Sequence, residues 1–133
     1  MNKRKYILVT SGSKRLGMNI SKFFVMNDWD LILHYNNSKV EAEETANELS
    51  LYSKNIKLYK ADFTNYKDVE NLVENLLFKE KEWIGLVNNA GLFEYDTGIE
   101  FTMEKLNRHM SINFSTPAIL IQALYKNIIK TKL

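Results

Sequence analysis

The sequence is poor in the residues that build metal centres and disulfide frameworks: its 133 residues include no cysteine, one proline, five glycines and two histidines. Without cysteine there are no disulfide bonds and no thiolate ligands, and His34 and His109 are too distant in sequence to suggest a zinc or iron site. No apolar run approaches the ~18–20 residues of a membrane-spanning helix, and none forms the core of a signal peptide. We therefore expect a cytoplasmic protein with no metal and no membrane partner.

An excess of charge of one sign is also lacking. The chain carries 18 basic and 16 acidic residues, a net charge of +2, and these residues are scattered along the sequence. Such a balance creates no basic surface of the kind that binds nucleic acid. With 45% apolar residues, the composition predicts one globular domain that spans residues 1–133 without an internal linker.

Short apolar segments alternate with longer segments of helical periodicity. This alternation predicts a parallel sheet with crossover helices. Strands are predicted at 6–10, 31–35, 56–60 and 84–87, and helices at 16–26, 38–51, 66–79 and from 102 onward. Ser38 and Thr102 are the predicted N-caps of the second and last helices. Pro117 lies within the last helix, where it predicts a kink or a restart of the helix.

A loop with the sequence VTSGSKRLG, at 9–17, joins the first strand to the first helix. Backbone N–H groups and the helix dipole at such a junction bind phosphate. Gly12 and Gly17 have the spacing of a P-loop, but Met18 and Asn19 stand where Lys and Ser or Thr should follow, which argues against an ATPase. The G-x-G-x-x-G pattern is not matched either. On this segment alone, a phosphate-binding loop and an ordinary turn packed around Gly17 both remain open.

Further segments favour the phosphate-binding interpretation. The loop resembles the Thr-Gly-x-x-x-Gly-x-Gly motif of the short-chain dehydrogenase/reductase family, with Ser11 and Arg15 in place of two glycines. Asn88-Asn89-Ala90-Gly91, after the fourth strand, resembles the family's Asn-Asn-Ala-Gly motif. Asp62, after the third strand, resembles its adenine-contacting aspartate. Asn113, with a proline four residues later, resembles the family's helix asparagine.

These motifs, in the family's order, imply a Rossmann-like α/β fold, a parallel sheet of strand order 3-2-1-4 with helices on both faces. The resemblance covers nearly all of this chain but only the first half of a family member, so we expect a fold truncated after the fourth βα unit. It implies that Asn113 is a catalytic residue and that a nucleotide cofactor is bound by four segments. The residues implied are Ser11, Gly12, Lys14, Arg15, Leu16, Gly17, Tyr35, Asn36, Asn37, Ser38, Asp62, Phe63, Asn89, Ala90 and Gly91.

The choice of cofactor can be argued from the end of the second strand. NAD enzymes place a carboxylate there, which binds the ribose 2′-hydroxyl and repels a 2′-phosphate. In this sequence the position falls at about Tyr35, and the residues that follow it are neutral. Lys14 and Arg15 are expected to add positive charge nearby. The sequence therefore favours NADP(H), and within the family the LHYNNS segment at 33–38 resembles pteridine reductases.

Catalysis in this family resembles general acid catalysis by a tyrosine with a lysine one helical turn away and a serine beside the substrate. No tyrosine here is followed four residues later by a lysine on one predicted helix. The resemblance thus implies the cofactor-binding half of an NADPH-dependent reductase of pterin or carbonyl substrates, inactive alone. A complementing C-terminal fragment, or a second copy bound through the last helix, is the expected partner.

Two other functions remain open. A non-catalytic or decayed nucleotide-binding protein would keep the fold and show no turnover. A flavodoxin-like signalling domain is disfavoured by the Asn-Asn-Ala-Gly segment and by the lack of an acidic cluster after the first strand.

Overall fold

The computed structural model describes residues 3–132, in which strands and helices alternate as the sequence predicts. The elements are β1 (Tyr6–Val9), α1 (Arg15–Met26), β2 (Asp30–Tyr35), α2 (Lys39–Leu49), β3 (Ile56–Lys60), α3 (Tyr66–Lys79), β4 (Trp83–Val87), α4 (Met103–Met110), a π-helical segment (Ser111–Ser115) and α5 (Thr116–Lys132). The bounds of β3 and α3 are the predicted ones, and the predicted ends of the other strands and of α1 and α2 differ by one or two residues.

The four strands form one parallel sheet in the order β3-β2-β1-β4, which confirms the predicted topology. In this order β1 neighbours β2 and β4, whereas a flavodoxin-like sheet places β1 between β2 and β3. The signalling-domain alternative is therefore wrong. Because all strands run the same way, the loops that follow them gather at one edge of the sheet, where ligands bind in open α/β folds.

Alternating strand residues build two separate cores, one on each face of the sheet. Leu8 and Ile32 are buried with residues of α3 and α5 on one face. Ile7, Leu31 and Leu33 are buried with residues of α1 and α2 on the other. The central strands are covered on both sides, so the loops at their ends have a rigid base.

The irregularity that Pro117 was predicted to cause lies one turn earlier than the proline itself. Proline lacks an N–H, and its ring collides with the carbonyl four residues before it, which here belongs to Asn113. The helix widens around that residue into the π-helical segment, and the Thr116 N–H bonds to Ser111 O, five residues back. Asn113 therefore lies in a π-bulge, a feature frequent at functional sites.

The N-termini of the helices differ in how their free N–H groups are satisfied. Ser38, Asn65 and Thr102 cap α2, α3 and α4 with side-chain oxygens, which confirms the predicted caps Ser38 and Thr102. By contrast, Lys14 at the start of α1 makes no side-chain cap, and the first turn of α1 carries no acidic residue. The N–H groups of that turn are therefore left for an external acceptor.

Candidate functional site

The loop between β1 and α1 has an unusual backbone at two positions. Ser11 has φ 49° and Arg15 has φ 47°, both in the left-handed region that favours glycine. These are the two positions where the family motif carries glycine and this chain does not. At each of these two residues the left-handed conformation therefore costs ~1 kcal/mol or more relative to glycine.

Side chains from neighbouring elements hold four consecutive carbonyl groups of this loop. The bonds run from Asn89 Nδ2 to Thr10 O (3.1 Å) and Ser11 O (3.3 Å), from Ser21 Oγ to Gly12 O (3.1 Å), and from Thr45 Oγ1 to Ser13 O (2.9 Å). Each carbonyl oxygen, the negative end of its peptide, thus points into the protein. The Ser11 and Gly12 N–H groups at the opposite ends of two of these peptides bond to His34. The N–H groups of Ser13 and Lys14, together with the uncapped start of α1, form a positive concavity suited to an anion.

Thr10 joins the loop to the Asn-Asn-Ala-Gly segment. Its Oγ1 accepts hydrogen bonds from the Asn89 and Ala90 N–H groups, both at 2.9 Å. Thr10 and Asn89 are 79 residues apart in sequence. These bonds therefore join the two motifs into one connected structure. The backbone of the loop and of the Asn-Asn-Ala-Gly segment is thus fixed by bonds among Thr10, Asn89 and Ala90.

Gly17 lies against this structure and leaves no room for a side chain. A Cβ atom on Gly17 would lie 2.0 Å from Ser11 O and 2.7 Å from Asn89 Nδ2. Gly12 is also buried, with Val9 O 2.9 Å from the position of a Cβ. Both glycines permit close approach of backbone segments, and neither has a positive φ.

A cleft of about 150 Å³ opens between the loop and the end of β2. It is lined by Ser11, Ser13, Lys14, Tyr35, Asn36, Asn37 and Ser38, and none of these described residues carries a carboxylate. Lys14 is the cation of the cleft, although its Nζ lies 3.0 Å from Glu41 Oε2. The cleft brings together six of the residues predicted from the sequence.

A second cleft, of about 140 Å³, adjoins the ends of all four strands. Its lining comprises Ser11, His34, Asn36, Ala61, Phe63, Ala90, Gly91 and Ile112. Ser11 and Asn36 line both clefts, so the two form a continuous surface along the carboxyl edge of the sheet. An extended ligand can lie across it, with one end beside Phe63 and the other beside Lys14.

Six of the predicted binding residues do not line these clefts. Gly12, Gly17 and Asn89 pack within the loop structure described above, and the other three lie elsewhere. Arg15 lines a neighbouring groove together with Glu41, Glu44 and Glu48. Leu16 is 64% exposed on the first turn of α1. Asp62 accepts hydrogen bonds from the Thr64 N–H and hydroxyl through Oδ1, at 2.9 and 2.7 Å, so part of its carboxylate stabilises its own turn.

Asn113 binds the segment that follows the Asn-Asn-Ala-Gly motif. Its Oδ1 accepts from the Leu92 N–H and its Nδ2 donates to Leu92 O, both at 2.8 Å. His109 Nε2 accepts from the Glu94 N–H at 3.0 Å, and Arg108 bonds to the Glu94 carboxylate at 2.7 Å. That guanidinium lowers the pKa of Glu94 through the hydrogen bond. Asn113 is thus a positioning residue in this structure.

The sequence reasoning missed His34, Ser21 and Thr45. They hold the loop from β2, α1 and α2: His34 and Thr45 lie 23 and 32 residues from the groups they bond, and Ser21 lies nine residues from Gly12. Tyr35 and Lys39 have the spacing Tyr-x-x-x-Lys, but they are not a catalytic pair, because Tyr35 ends β2 and Lys39 begins α2. The two residues therefore do not share a helical face.

Replacing Ser11 with glycine is expected to stabilise the fold by about 1 kcal/mol, because glycine adopts φ 49° without steric cost. Ser13→Gly, two residues along the same loop, is the matched control and is expected to destabilise it, since Ser13 has no positive φ. Urea unfolding of both variants measures the difference. A Ser11→Gly variant no more stable than Ser13→Gly would contradict the strain argument.

A family model described as short chain dehydrogenase matches residues 5–132. The chain belongs to the short-chain dehydrogenase family. This assignment fits the parallel sheet, the loop after β1 and the Asn-Asn-Ala-Gly segment described above. Within residues 3–132, none of the helices is long and apolar enough to cross a membrane.

Individual relatives match at low identity and over part of their own length. The short-chain dehydrogenase/reductase FrzI of Cladobotryum sp is 24% identical over 124 residues, which are 93% of this chain and 48% of FrzI. The uncharacterized oxidoreductase YmfI of Bacillus subtilis is 22% identical over 96% of this chain and 52% of its own length. The chain thus spans about half the length of these relatives.

Solved structures also match most of this chain and about half of their own length. A blue fluorescent protein from a metagenomic library, solved in complex with NADPH, has a TM-score of 0.84 and 28% identity, and the match covers 92% of this chain and 50% of that protein. Acetoin dehydrogenase YohF from Salmonella typhimurium has a TM-score of 0.88 at 18% identity, over 96% of this chain and 51% of its own. The second likeness is one of fold alone.

Proposed function

We propose that this chain binds NADPH and forms the cofactor-binding part of a reductase. The observation that carries the proposal is the uncapped N-terminus of α1, which faces a loop whose carbonyl groups are held away from it. This arrangement suits the pyrophosphate of a dinucleotide. Further support comes from the family assignment and from the NADPH-bound relative of 28% identity.

Selection of NADPH over NADH is proposed to occur in the 150 Å³ cleft. Lys14 and the amide groups of Asn36 and Asn37 can donate to phosphate oxygens, and the absence of a carboxylate among the described lining residues avoids repulsion. The adenine ring is proposed to lie in the second cleft, beside Phe63 and Asp62. Leu16 and Gly17 are proposed to contact the pyrophosphate through backbone, Gly12 to allow the tight packing of the loop beside it, and Arg15 to add positive charge at the rim.

A fluorescence titration tests both parts of the proposal. NADPH is expected to bind at least about tenfold more tightly than NADH, since a charge-assisted contact to the 2′-phosphate is available only to NADPH. Asn36→Asp places a carboxylate in the cleft and is expected to reverse this preference. Asn47→Asp, which adds the same charge near the C-terminus of α2, is the control and should retain it. Equal affinities in the wild type would refute the selection of NADPH, and no binding at millimolar NADPH would refute the site.

The reaction proposed for the whole enzyme is hydride transfer to a pterin or another carbonyl or imine substrate. NADPH supplies the hydride, while this chain orients the cofactor and, through Asn113, holds the backbone at Leu92 beside it. The 133 residues contain no helical Tyr-x-x-x-Lys pair, so turnover is proposed to need the part that completes the relatives. A non-catalytic NADP-binding protein is the second candidate.

Oxidation of NADPH separates the two candidates. The chain is combined with a polypeptide that carries a Ser and a Tyr-x-x-x-Lys helix, and absorbance at the NADPH band is followed with dihydropterin present. Loss of NADPH only in the mixture is the result expected of the reductase. An inactive mixture that still binds NADPH would favour the non-catalytic protein.

Association through the last helices is also proposed. Exposed apolar side chains recur at steps of seven and four residues along α4, the π-helical segment and α5, and their exposed fractions are 46–66%. We call them the apolar stripe: Met103, Met110, Phe114, Ile121 and Tyr125. The neighbouring edge of β4 has no strand beside it among the described residues. A second copy on the stripe, or a complementing fragment on the edge, would bury these groups.

Sedimentation velocity is expected to show dimers of the isolated chain that are lost in Phe114→Glu, because a carboxylate in the stripe must be buried on association. Phe78→Glu is the control: Phe78 is 78% exposed but lies on α3, away from the stripe. A monomeric wild type would contradict the second copy and favour the complementing fragment. Equal loss of dimer in both variants would place the contact elsewhere.

A further inference from the structure

His34 is a buried titratable residue whose contacts lie in the candidate site. It is the next-to-last residue of β2 and only 2% of it is exposed. The Ser11 N–H donates to His34 Nδ1 at 3.0 Å, and the Gly12 N–H donates to the His34 backbone oxygen at 3.1 Å. One residue therefore receives two consecutive N–H groups of the phosphate loop.

These bonds define the protonation of the ring. Since a backbone N–H can only donate, Nδ1 accepts and carries no proton. Nε2 lies 2.8 Å from Ala61 O, a carbonyl that can only accept, so the proton of the neutral ring is on Nε2. Burial favours this neutral form and lowers the pKa of His34 to about 4. The imidazole thus connects the loop after β1 to the chain after β3.

The ring also forms part of the second cleft. It stacks on Phe63, with centroids 4.0 Å apart and an angle of 11° between the planes, and both rings line the cleft. Ser11, the residue that Nδ1 holds, has φ 49° and lines both clefts. A strained peptide persists only where its surroundings fix it, and the bond from Ser11 to His34 is one that fixes it directly.

We propose that His34 is the positioning residue of the phosphate loop: its neutral ring holds the Ser11 peptide in the left-handed conformation and so directs the first turn of α1 toward the pyrophosphate. The inference rests on the proposed binding of NADPH. It assigns to a side chain of β2 a role that a glycine in the loop would otherwise fill through its own backbone freedom.

Two conservative substitutions separate the bonds of the ring. In His34→Asn the amide oxygen takes the place of Nδ1 and can still accept from Ser11, whereas the bond to Ala61 is lost. In His34→Gln the amide nitrogen takes the place of Nε2 and can still donate to Ala61, whereas the bond from Ser11 is lost. Both variants lose the stack on Phe63, so each is the control of the other for packing.

The affinities for NADPH and for adenosine 2′-monophosphate, which has no pyrophosphate, are measured in the wild type and in both variants. His34→Gln is expected to weaken NADPH about tenfold, because the Ser11 peptide is released, and His34→Asn about threefold or less. Adenosine 2′-monophosphate should bind the two variants alike, because both lose the stack on Phe63 beside the adenine cleft and this ligand does not reach the pyrophosphate position. Equal NADPH affinities in the two variants, or parallel losses for both ligands, would overturn the positioning role.

Hydrogen exchange of the Ser11 amide tests the contact without cofactor. Protection is expected in the wild type and in His34→Asn, and loss of protection in His34→Gln. If the wild type binds no NADPH but shows this pattern, the proposed function fails and the control of the loop by His34 stands. If the Ser11 amide exchanges equally in all three proteins, the inference fails whatever the cofactor result.

Discussion

Replacing Gly17 with alanine is expected to weaken NADPH binding by about 100-fold or more and to destabilise the fold by roughly 3 kcal/mol. The added Cβ would lie 2.0 Å from Ser11 O and 2.7 Å from Asn89 Nδ2. The first neighbour is backbone and cannot rotate away. Relief therefore requires α1 to move from the loop, which removes the first-turn N–H groups from the position where they face the pyrophosphate.

Gly98→Ala is the matched control, since no atom lies within 4 Å of its Cβ position. It is expected to bind NADPH as the wild type does. Urea unfolding and NADPH titration are measured on both variants, and binding at low temperature keeps the test informative where Gly17→Ala is unstable. A folded Gly17→Ala protein with wild-type affinity for NADPH would show that the loop does not form the site.

The architecture could be predicted because each element of the sheet has a local signal. β3 is a five-residue run of Ile, Leu and Tyr interspersed with two lysines, and α3 combines Asn65 as a cap with an apolar stripe of helical period, so both begin and end where the sequence places them. The π-helical segment could not be predicted in this way. Pro117 signals a disturbed helix, but its position depends on how the Asn113 carbonyl avoids the proline ring, which is a property of the folded helix.

The residues of the candidate site likewise fall into those that a sequence pattern predicts and those that it does not. Residues that belong to a contiguous motif, such as Ser11, Asn36 and Ala90, were predicted and lie in the clefts. Ser21 and Thr45 were not, because each makes a single hydrogen bond to a carbonyl of the loop and leaves no pattern in its own helix. Arg15 is predicted, together with Lys14, to add positive charge near the 2′-phosphate; in the structure both residues line the neighbouring groove, and Lys14 lines the cleft as well.

Acid is expected to destabilise the protein through His34. Burial lowers the pKa of this residue from 6.5 to about 4, against a smaller opposite effect of the bond to Ala61 O. Between pH 6.5 and pH 4 the unfolded chain therefore binds a proton at His34 that the folded chain does not. The stability that the neutral ring contributes is complete above pH 6.5 and decreases as the pH falls toward 4, by about 3 kcal/mol in total.

The free energy of unfolding, measured by urea at several pH values from 7 to 4, isolates this effect by comparison of variants. His34→Asn should be less stable than the wild type at pH 7, because the stack on Phe63 is lost, and its stability should fall less steeply below pH 6.5. His109→Asn, at the other histidine, is the control. Its free energy of unfolding should fall with pH as steeply as that of the wild type, because His34 is unchanged. Parallel curves for the wild type and His34→Asn would mean that His34 takes up its proton in the folded protein as readily as in the unfolded chain. The ring could then not be the neutral acceptor of the Ser11 N–H, because a protonated Nδ1 and a backbone N–H would face each other as two donors.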